Sequence, residues 1–285
     1  MSAAETRTVG IVGAGTMGQG IAQVCASAGY KVLLFDVNPG AASSAIRKII
    51  ENLDLLLEKE KITAAQKESV VLNLQPVSQI NDVRGEFIIE AAIEDLSVKQ
   101  EIFALLEAHS TQKTILLSNT SSIQIAQIAR QLKNPGRFAG LHFFNPATIM
   151  KLVEIVQSPL TTNDTVAEVQ VFVKTIGKHA VLTQDSPGFI VNRIARLYYV
   201  EALKVLEEDV ADHETIDRLL KNCGFRMGPF ELMDLIGIDV NLAVTKSLFH
   251  SFHNEARFRP SRIQQQKVDA GTLGRKSGKG FYDYH

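Results

Sequence analysis

The segment 139-AGLHFFNPATIMKLVEIV-156 holds a histidine and a glutamate whose types and spacing suit proton transfer. His142 and Glu154 are twelve positions apart, each among mostly apolar residues. Ionisable side chains in such runs are costly to bury unless they are paired. A histidine can take a proton from an alcohol near neutral pH, and a carboxylate at its other ring nitrogen would fix the tautomer and stabilise the imidazolium. The residues therefore form either a satisfied structural pair or a catalytic base with its positioning partner.

Both residues are expected on strands. The run 137–143 has the composition of a buried strand and ends beside His142, and 150–156 has that of a second strand carrying Glu154. The residues 145-NPATI-149 offer a turn that brings the second strand back alongside the first. This arrangement would place the carboxylate against the imidazole.

A glycine-rich turn, 13-GAGTMG-18, follows a short buried strand and opens an apolar helix. In dinucleotide-binding turns the first glycine permits the tight turn, the second lets the backbone approach the pyrophosphate, and the third lets helix and strand pack closely. The N–H groups and the dipole at the helix N-terminus favour phosphate. The residues of this turn expected to contact a cofactor are Gly13, Gly15, Thr16, Met17 and Gly18.

Asp36 ends the following strand, 31-KVLLFD-36. An acid at this place accepts hydrogen bonds from the adenosine ribose hydroxyls and repels a 2′-phosphate, which favours NAD over NADP. The alternative is a purely structural glycine turn.

The segment 118-SNTSS-122 follows another predicted strand. Ligands of doubly wound sheets lie beyond the carboxyl ends of the strands, so Asn119 and Ser121 are placed to face one. Alternatively, Ser121 or Ser122 caps a helix that starts near Ile123. One serine could cap the helix while the other faces the ligand.

Alternating strand and helix patterns predict an α/β fold for residues 1–185, with a Rossmann-type doubly wound, mostly parallel sheet. Charged amphipathic patterns at 41–73 indicate a helical hairpin insert. Strand signals then stop, and residues 186–285 are expected to form an all-helical domain. Asn192 falls in the first turns of its first helix, as a polar group satisfied there or as a donor reaching a ligand.

The bulk composition is that of an ordinary soluble protein. With 30 basic and 31 acidic residues, the net charge of −1 gives no drive toward nucleic acid or membrane. Two distant cysteines, Cys25 and Cys223, argue against a disulfide framework or a metal site. A strand begins within ten residues of Met1 and leaves no room for a signal peptide, so a cytoplasmic protein is expected, with a longer organellar precursor still open.

Eight motifs in order and register resemble those of the 3-hydroxyacyl-CoA dehydrogenases over essentially the whole chain. They are GAGTMG, EAAIED, SNTSS, GLHFFNP, MKLVEI, PGFIVNR, MGPFEL and GRKSGKGFYDY. The resemblance implies NAD-dependent, reversible oxidation of (S)-3-hydroxyacyl-CoA to 3-ketoacyl-CoA, with a short-chain substrate such as 3-hydroxybutyryl-CoA. It also implies a homodimer formed through the helical domain.

The resemblance also implies roles for individual residues. His142 matches the family's base and Glu154 its partner, while Ser121 and Asn192 match residues that hold the substrate oxygen. The matches to nicotinamide-side cofactor contacts are Glu94, Lys99, Asn145 and Lys276. In the hairpin, Lys59 matches a residue that meets the CoA phosphates, and Asn52 stands where the family often has serine.

Two departures from the family pattern bear on the site. Thr148 and Arg226 each stand where the family usually has proline. Without that proline the turn between His142 and Glu154 is expected to be looser. Arg226 is expected to be a solvated loop residue, or else to favour an acyl chain that ends in a carboxylate, as in 3-hydroxyadipyl-CoA.

Other classes of protein agree less well with these residues. A non-catalytic NAD-binding relative, as some lens crystallins are, would keep the fold without the His142–Glu154 pair. A dehydrogenase of free hydroxy acids would need no helical insert with Lys59. The absence of GxSxG disfavours a serine hydrolase, and no tyrosine has a lysine four residues on, which disfavours a tyrosine-based dehydrogenase.

Overall fold

The computed structural model describes residues 7–284, which form two compact units that divide between Ser186 and Pro187. The first unit is built on one eight-stranded sheet. Its strands are β1 (Thr8–Val12), β2 (Lys31–Phe35), β3 (Leu74–Pro76), β4 (Phe87–Glu90), β5 (Ile115–Ser118), β6 (Phe138–Phe143), β7 (Leu152–Gln157) and β8 (His179–Gln184). Its helices are α1 (Thr16–Ser27), α2 (Ala41–Glu58), α3 (Ala64–Leu72), α4 (Leu96–His109), α5 (Ile125–Ala129) and α6 (Asn163–Thr175).

The strand order is β3-β2-β1-β4-β5-β6-β7-β8. Neighbouring strands are parallel except β6 and β7, which are antiparallel. The central strands β4, β5 and β6 are buried along their whole length, as strands covered on both faces are. The chain moves outward from β1 to β3 and returns to β4 on the other side of β1, so the carboxyl ends of β1 and β4 flank the point where the direction of winding changes. This sheet confirms the predicted doubly wound fold.

The helical hairpin lies between β2 and β3. Thr63 caps α3 in a capping box, with its hydroxyl accepting from the Gln66 amide and the Gln66 side chain accepting from the Thr63 amide. Ile49 and Leu53 of α2 are buried against the core of the first unit. β3 is an edge strand of three residues that ends in Pro76, and the sequence pattern does not predict it.

The second unit is helical, as predicted, in the part of the chain that the structure describes. Its helices are α7 (Val191–Glu207), α8 (His213–Asn222), α9 (Pro229–Ile236), α10 (Ile238–Ser251) and α11 (Arg262–Asp269). Asp217 accepts from the first amides of α9, Phe230 N at 3.0 Å and Glu231 N at 2.8 Å. Asp234 accepts from the amides of Phe281 and Tyr282 and so anchors the tail. No helix within residues 7–284 combines the length and apolar character needed to cross a bilayer.

Candidate active site

His142 and Glu154 lie directly opposite each other on β6 and β7. His142 Nδ1 is 2.7 Å from Glu154 Oε2, and the two residues are only 6% and 1% exposed. The antiparallel register therefore builds the pair that the spacing indicated. A carboxylate at Nδ1 leaves Nε2 as the ring nitrogen able to exchange a proton with a substrate.

The turn that joins β6 to β7 is tied by a lysine that the sequence analysis did not single out. Lys178 Nζ donates to the carbonyls of Ala147 at 2.6 Å and Met150 at 2.8 Å. Ala147 is buried, and a side chain on Gly20 of α1 would approach its Cβ to 3.1 Å. Burial, and then the charge of Lys151, lowers the pKa of Lys178. The turn that carries Thr148 is therefore held by Lys178 on one side and packs against α1 on the other.

The glycine turn after β1 has the geometry that a dinucleotide requires. Gly13 has φ of +102°, and a side chain on Gly18 would lie 1.8 Å from the Gly13 carbonyl oxygen, so both must be glycine. A side chain on Gly15 would meet nothing within 4 Å, and no side chain caps the first turn of α1. Asp36 Oδ2 accepts from Ala14 N at 2.8 Å, which sets the acid beside the turn. Thr16 is exposed and Met17 half-buried at the same helix end. These residues fit NAD.

The loop that contains Ser121 is fixed by Glu94. Glu94 Oε1 accepts from the Thr120 hydroxyl at 2.7 Å and from the amides of Ser121 at 2.8 Å and Ser122 at 3.0 Å. Lys99 Nζ lies 3.4 Å from Glu94 Oε2. Burial raises the pKa of Glu94, but Lys99 and the loop donors lower it by more, so it falls below its ordinary value.

Behind this loop lies a buried ion pair. Glu90, at the end of β4, is 0% exposed, and its Oε1 is 2.6 Å from Lys99 Nζ. Glu90 also accepts from Ala92 N at 2.6 Å and from the Ser118 hydroxyl at 2.7 Å. Lys99 itself is 1% exposed, so the structure shows it bound within the protein by Glu90 and Glu94. The lone acid in the apolar run 87-FIIEAA-92 was the available signal for Glu90.

Two further polar contacts connect the strand ends. Asn119 Oδ1 accepts from Phe143 N at 2.9 Å and joins the end of β5 to the end of β6. The helix after the serine loop begins at Ile125, later than expected, and no serine caps it. The carboxylate of Asp185 accepts from the amides of Ile125 and Ala126, both at 2.8 Å. Burial raises the pKa of Asp185, although these two amides oppose the shift.

The remaining predicted residues lie outside this group. Asn145 is exposed at the start of the turn, and Asn192 lies in the first turn of α7. Lys276 Nζ is 2.6 Å from the Asp239 carboxylate within the second unit. Asn52 and Lys59 are both exposed on the hairpin; Asn52 lies on α2, and Lys59 directly follows the end of that helix, seven residues further on.

A glycine turn that fits a dinucleotide and a histidine–carboxylate pair at the same edge of the sheet define a dinucleotide-dependent oxidoreductase. The family models agree: residues 8–186 match the 3-hydroxyacyl-CoA dehydrogenase NAD binding domain, and residues 188–284 match the 3-hydroxyacyl-CoA dehydrogenase C-terminal domain. The chain belongs to the 3-hydroxyacyl-CoA dehydrogenase family.

Individual relatives cover almost all of this chain. It is 48% identical over 98% of its length to a 3-hydroxyadipyl-CoA dehydrogenase of Escherichia coli, of which it spans 59%. It is 38% identical to the mitochondrial hydroxyacyl-coenzyme A dehydrogenase of Sus scrofa, over 97% of this chain and 90% of the relative. The crystal structure of (S)-3-hydroxybutyryl-CoA dehydrogenase from Ralstonia eutropha has a TM-score of 0.94 and 40% identity, over 99% of this chain and 100% of that one.

Proposed function

We propose that this chain oxidises short-chain (S)-3-hydroxyacyl-CoA, such as 3-hydroxybutyryl-CoA, reversibly to 3-ketoacyl-CoA. The observation that carries the proposal is the buried His142–Glu154 contact of 2.7 Å, at the edge of the sheet where the glycine turn fits NAD. A purely structural pair would not need to lie at the ligand-binding edge of a doubly wound sheet. The names of the relatives support the substrate class.

In the proposed reaction, His142 Nε2 removes the proton of the 3-hydroxyl. NAD, when bound, supplies the acceptor for the hydride that leaves C3. Glu154 holds the ring through Nδ1 and stabilises its protonated form. Ser121 and Asn192 hold the substrate oxygen by hydrogen bonds. The Glu94 contacts fix the backbone that carries Ser121.

The cofactor and CoA contacts of the remaining residues are proposed from the resemblance. Asn145 and Lys276 would contact the nicotinamide side of NAD, and Glu94 and Lys99 would do so directly or by shaping the serine loop. Lys59, just after the end of α2, would meet the CoA phosphates together with Asn52, seven residues earlier on that helix. Lys59→Met is expected to raise KM for acetoacetyl-CoA without changing kcat, while Lys61→Met, at another exposed lysine nearby, leaves both unchanged.

Following NADH oxidation tests the reaction class. Acetoacetyl-CoA is expected to be reduced and free acetoacetate is not, because free acetoacetate lacks the CoA contacts. A protein that binds NADH but reduces neither compound would be a non-catalytic relative. Efficient reduction of free acetoacetate would instead indicate a dehydrogenase of free hydroxy acids.

Substitution of the pair tests the mechanism. His142→Gln is expected to lower kcat by roughly 10²–10⁴-fold, the usual contribution of a general base, with NADH binding retained. Glu154→Gln removes a charge 2.7 Å from the ring and is expected to lower kcat by about 10²–10³-fold. His109→Gln, at an exposed histidine, is the matched control. Turnover near that of the unchanged protein in the His142 variant would refute the assignment.

A second candidate substrate is a dicarboxylic 3-hydroxyacyl-CoA such as 3-hydroxyadipyl-CoA. The name of the Escherichia coli relative suggests it. The structural observation that favours it is the guanidinium of Arg196, which is 2% exposed and has no acidic partner among residues 7–284. Arg226, which the sequence had suggested as the residue that favours a carboxylate-terminated acyl chain, is exposed between α8 and α9.

The proposed assembly is a homodimer through the second unit, in the cytoplasm. Ile194 is 68% exposed and Leu197 44% exposed, one helical turn apart on α7, so the unit presents apolar surface that a second copy could cover. Cys223 is an exposed free thiol, a group typical of reducing compartments. Light scattering after size exclusion tests the dimer, and cell fractionation tests the location. A monomer at micromolar concentration would refute the proposed homodimer.

A further inference from the structure

The second unit holds the guanidinium of Arg196 by one of its two edges. Arg196 Nη1 donates to Asn241 O, Asn241 Oδ1 and Thr245 Oγ1, each at 2.9 Å. Arg196 Nε is buried without a hydrogen-bond partner, and Nη2 contacts no acceptor within the described residues. The planar fork of arginine can bind both oxygens of a carboxylate along one edge. The Nε–Nη2 edge is therefore the unsatisfied part of this group.

The side chains around Arg196 are held in place by hydrogen bonds, and none of the described residues that contact it carries a negative charge. The ion pairs between described residues do not include Arg196, and its nearest ring, Tyr199, lies 5.1 Å from the guanidinium carbon. Gln264 Nε2 donates to Asn241 Oδ1 at 2.8 Å and holds that amide in place. Burial lowers the pKa of Arg196 to about 10, so the group stays charged near neutral pH. A fixed, buried cation without a counter-charge is costly unless an anion binds it.

The position of Arg196 relates it to the substrate. It follows Asn192 by four residues on α7, so the two share one helix face about 6 Å apart along the axis. Long side chains in helices commonly lean toward the N-terminus, which is the direction in which Asn192 lies from Arg196. In 3-hydroxyadipyl-CoA, the terminal carboxyl carbon lies three bonds from C3, at most ~4 Å away. An oxygen on C3 held by Asn192 would place the carboxylate within reach of the arginine.

We propose that Arg196 binds the terminal carboxylate of a dicarboxylic 3-hydroxyacyl-CoA through its Nε–Nη2 edge and so determines substrate specificity. This inference rests on the proposed function, since it requires Asn192 to hold the substrate oxygen. A methyl-terminated chain of the same length leaves the guanidinium without its partner. The site therefore selects against that chain as well as for the carboxylate.

The experiment compares two substrates of equal length. The value of kcat/KM is measured for 3-hydroxyadipyl-CoA and for 3-hydroxyhexanoyl-CoA, which differ only in a terminal carboxylate or methyl. In the unchanged protein, kcat/KM is expected to be higher for 3-hydroxyadipyl-CoA than for 3-hydroxyhexanoyl-CoA; the ratio of the two values is compared between variants. Arg196→Met is expected to lower this ratio by at least about 30-fold, the usual cost of truncating one partner of a buried charge pair. Arg196→Lys keeps the charge and should give an intermediate ratio. Arg226→Met removes an exposed arginine as the matched control and should leave the ratio unchanged.

Each other outcome has a distinct meaning. No turnover of either CoA ester by the unchanged protein means that the proposed function fails. Turnover of both, with a ratio that Arg196→Met does not change, means that Arg196 is only structural and overturns the inference. If Arg196→Met loses its folded near-ultraviolet signal, the substrate ratios of Arg196→Lys and of Arg196→Gln, which keeps hydrogen-bond donors without the charge, decide instead. Calorimetry with adipyl-CoA and hexanoyl-CoA then shows whether affinity for the carboxylate alone is lost.

Discussion

Lys99→Met is expected to destabilise the first unit rather than simply to weaken cofactor binding. Its partner Glu90 is 0% exposed and accepts from Ala92 N and the Ser118 hydroxyl as well as from the Lys99 ammonium. Removing the ammonium leaves a buried carboxylate with hydrogen bonds but no counter-charge. The resemblance to the family had suggested a direct contact between Lys99 and the cofactor, which predicts a different result.

The structure sets the size of the effect. Loss of one partner of a buried pair costs about 3–5 kcal/mol, a large fraction of the ~5–15 kcal/mol that stabilises most domains. For a unit of this size, that corresponds to a fall in Tm of roughly 6–20 °C. The double variant Glu90→Gln with Lys99→Met removes both charges and should lose only about 1–3 kcal/mol, since mainly hydrogen bonds change. Lys67→Met, in a pair with the half-exposed Asp54, should cost no more than about 1 kcal/mol.

Thermal unfolding and hydrogen exchange of β4 and β5 are the assays, because exchange reports the first unit separately. NADH binding at a temperature below the transition of each variant is measured alongside. An unchanged unfolding temperature and unchanged exchange rates in Lys99→Met, together with a fall in NADH affinity, would refute this prediction. A double variant less stable than Lys99→Met alone would also contradict it, since the uncompensated carboxylate would then not be the cause.

Three further predictions concern the same edge of the sheet. The pKa of Glu94 is lowered from 4.5, so its contribution to stability is complete above about pH 4.5 and is lost as the pH falls through its folded value. Between about pH 6 and pH 3, the unfolding free energy of Glu94→Gln should therefore fall less with decreasing pH than that of the unchanged protein. An identical pH dependence in both proteins would refute this prediction. Gly15→Ala should keep the unfolding temperature but lower the affinity for NADH. Gly18→Ala, whose new side chain clashes with the Gly13 carbonyl, should lower both the unfolding temperature and the affinity for NADH. Lys178→Met should lower kcat by about tenfold or more with NADH affinity unchanged, because a misplaced base loses rate; equal effects from the exposed Lys174→Met would show that the contact is not specific.

Local patterns predicted most of the fold. Alternating strand and helix signals predicted the sheet, and the amphipathic patterns at 41–73 predicted the helical hairpin, because both depend on residues close together in the chain. The strand β3 was missed because three residues that end in Pro76 carry no alternation and little strand propensity. Its pairing with β2 depends on the sheet already formed beside it.

The site was predictable where its chemistry lies within one motif, and not where it depends on contacts distant in the chain. The Gly13 and Gly18 requirements follow from one turn. By contrast, Asp185 binds amides about sixty positions earlier in the chain, and Lys178 binds carbonyls about thirty positions earlier. No sequence period marks such contacts. A lone charge among apolar neighbours, as at Glu90, is the most that a single sequence offers.

The turn between His142 and Glu154 is restrained by a contact from outside it. Proline at position 148 would restrict the turn through its fixed φ and would act locally. Thr148 gives up that restriction, but the Lys178 ammonium holds the carbonyls on either side of it, at Ala147 and Met150. The restraint thus comes from the start of β8 and not from the turn itself. Because β8 pairs with β7, which carries Glu154, the same edge of the sheet fixes both the turn and the carboxylate that it must deliver to the imidazole.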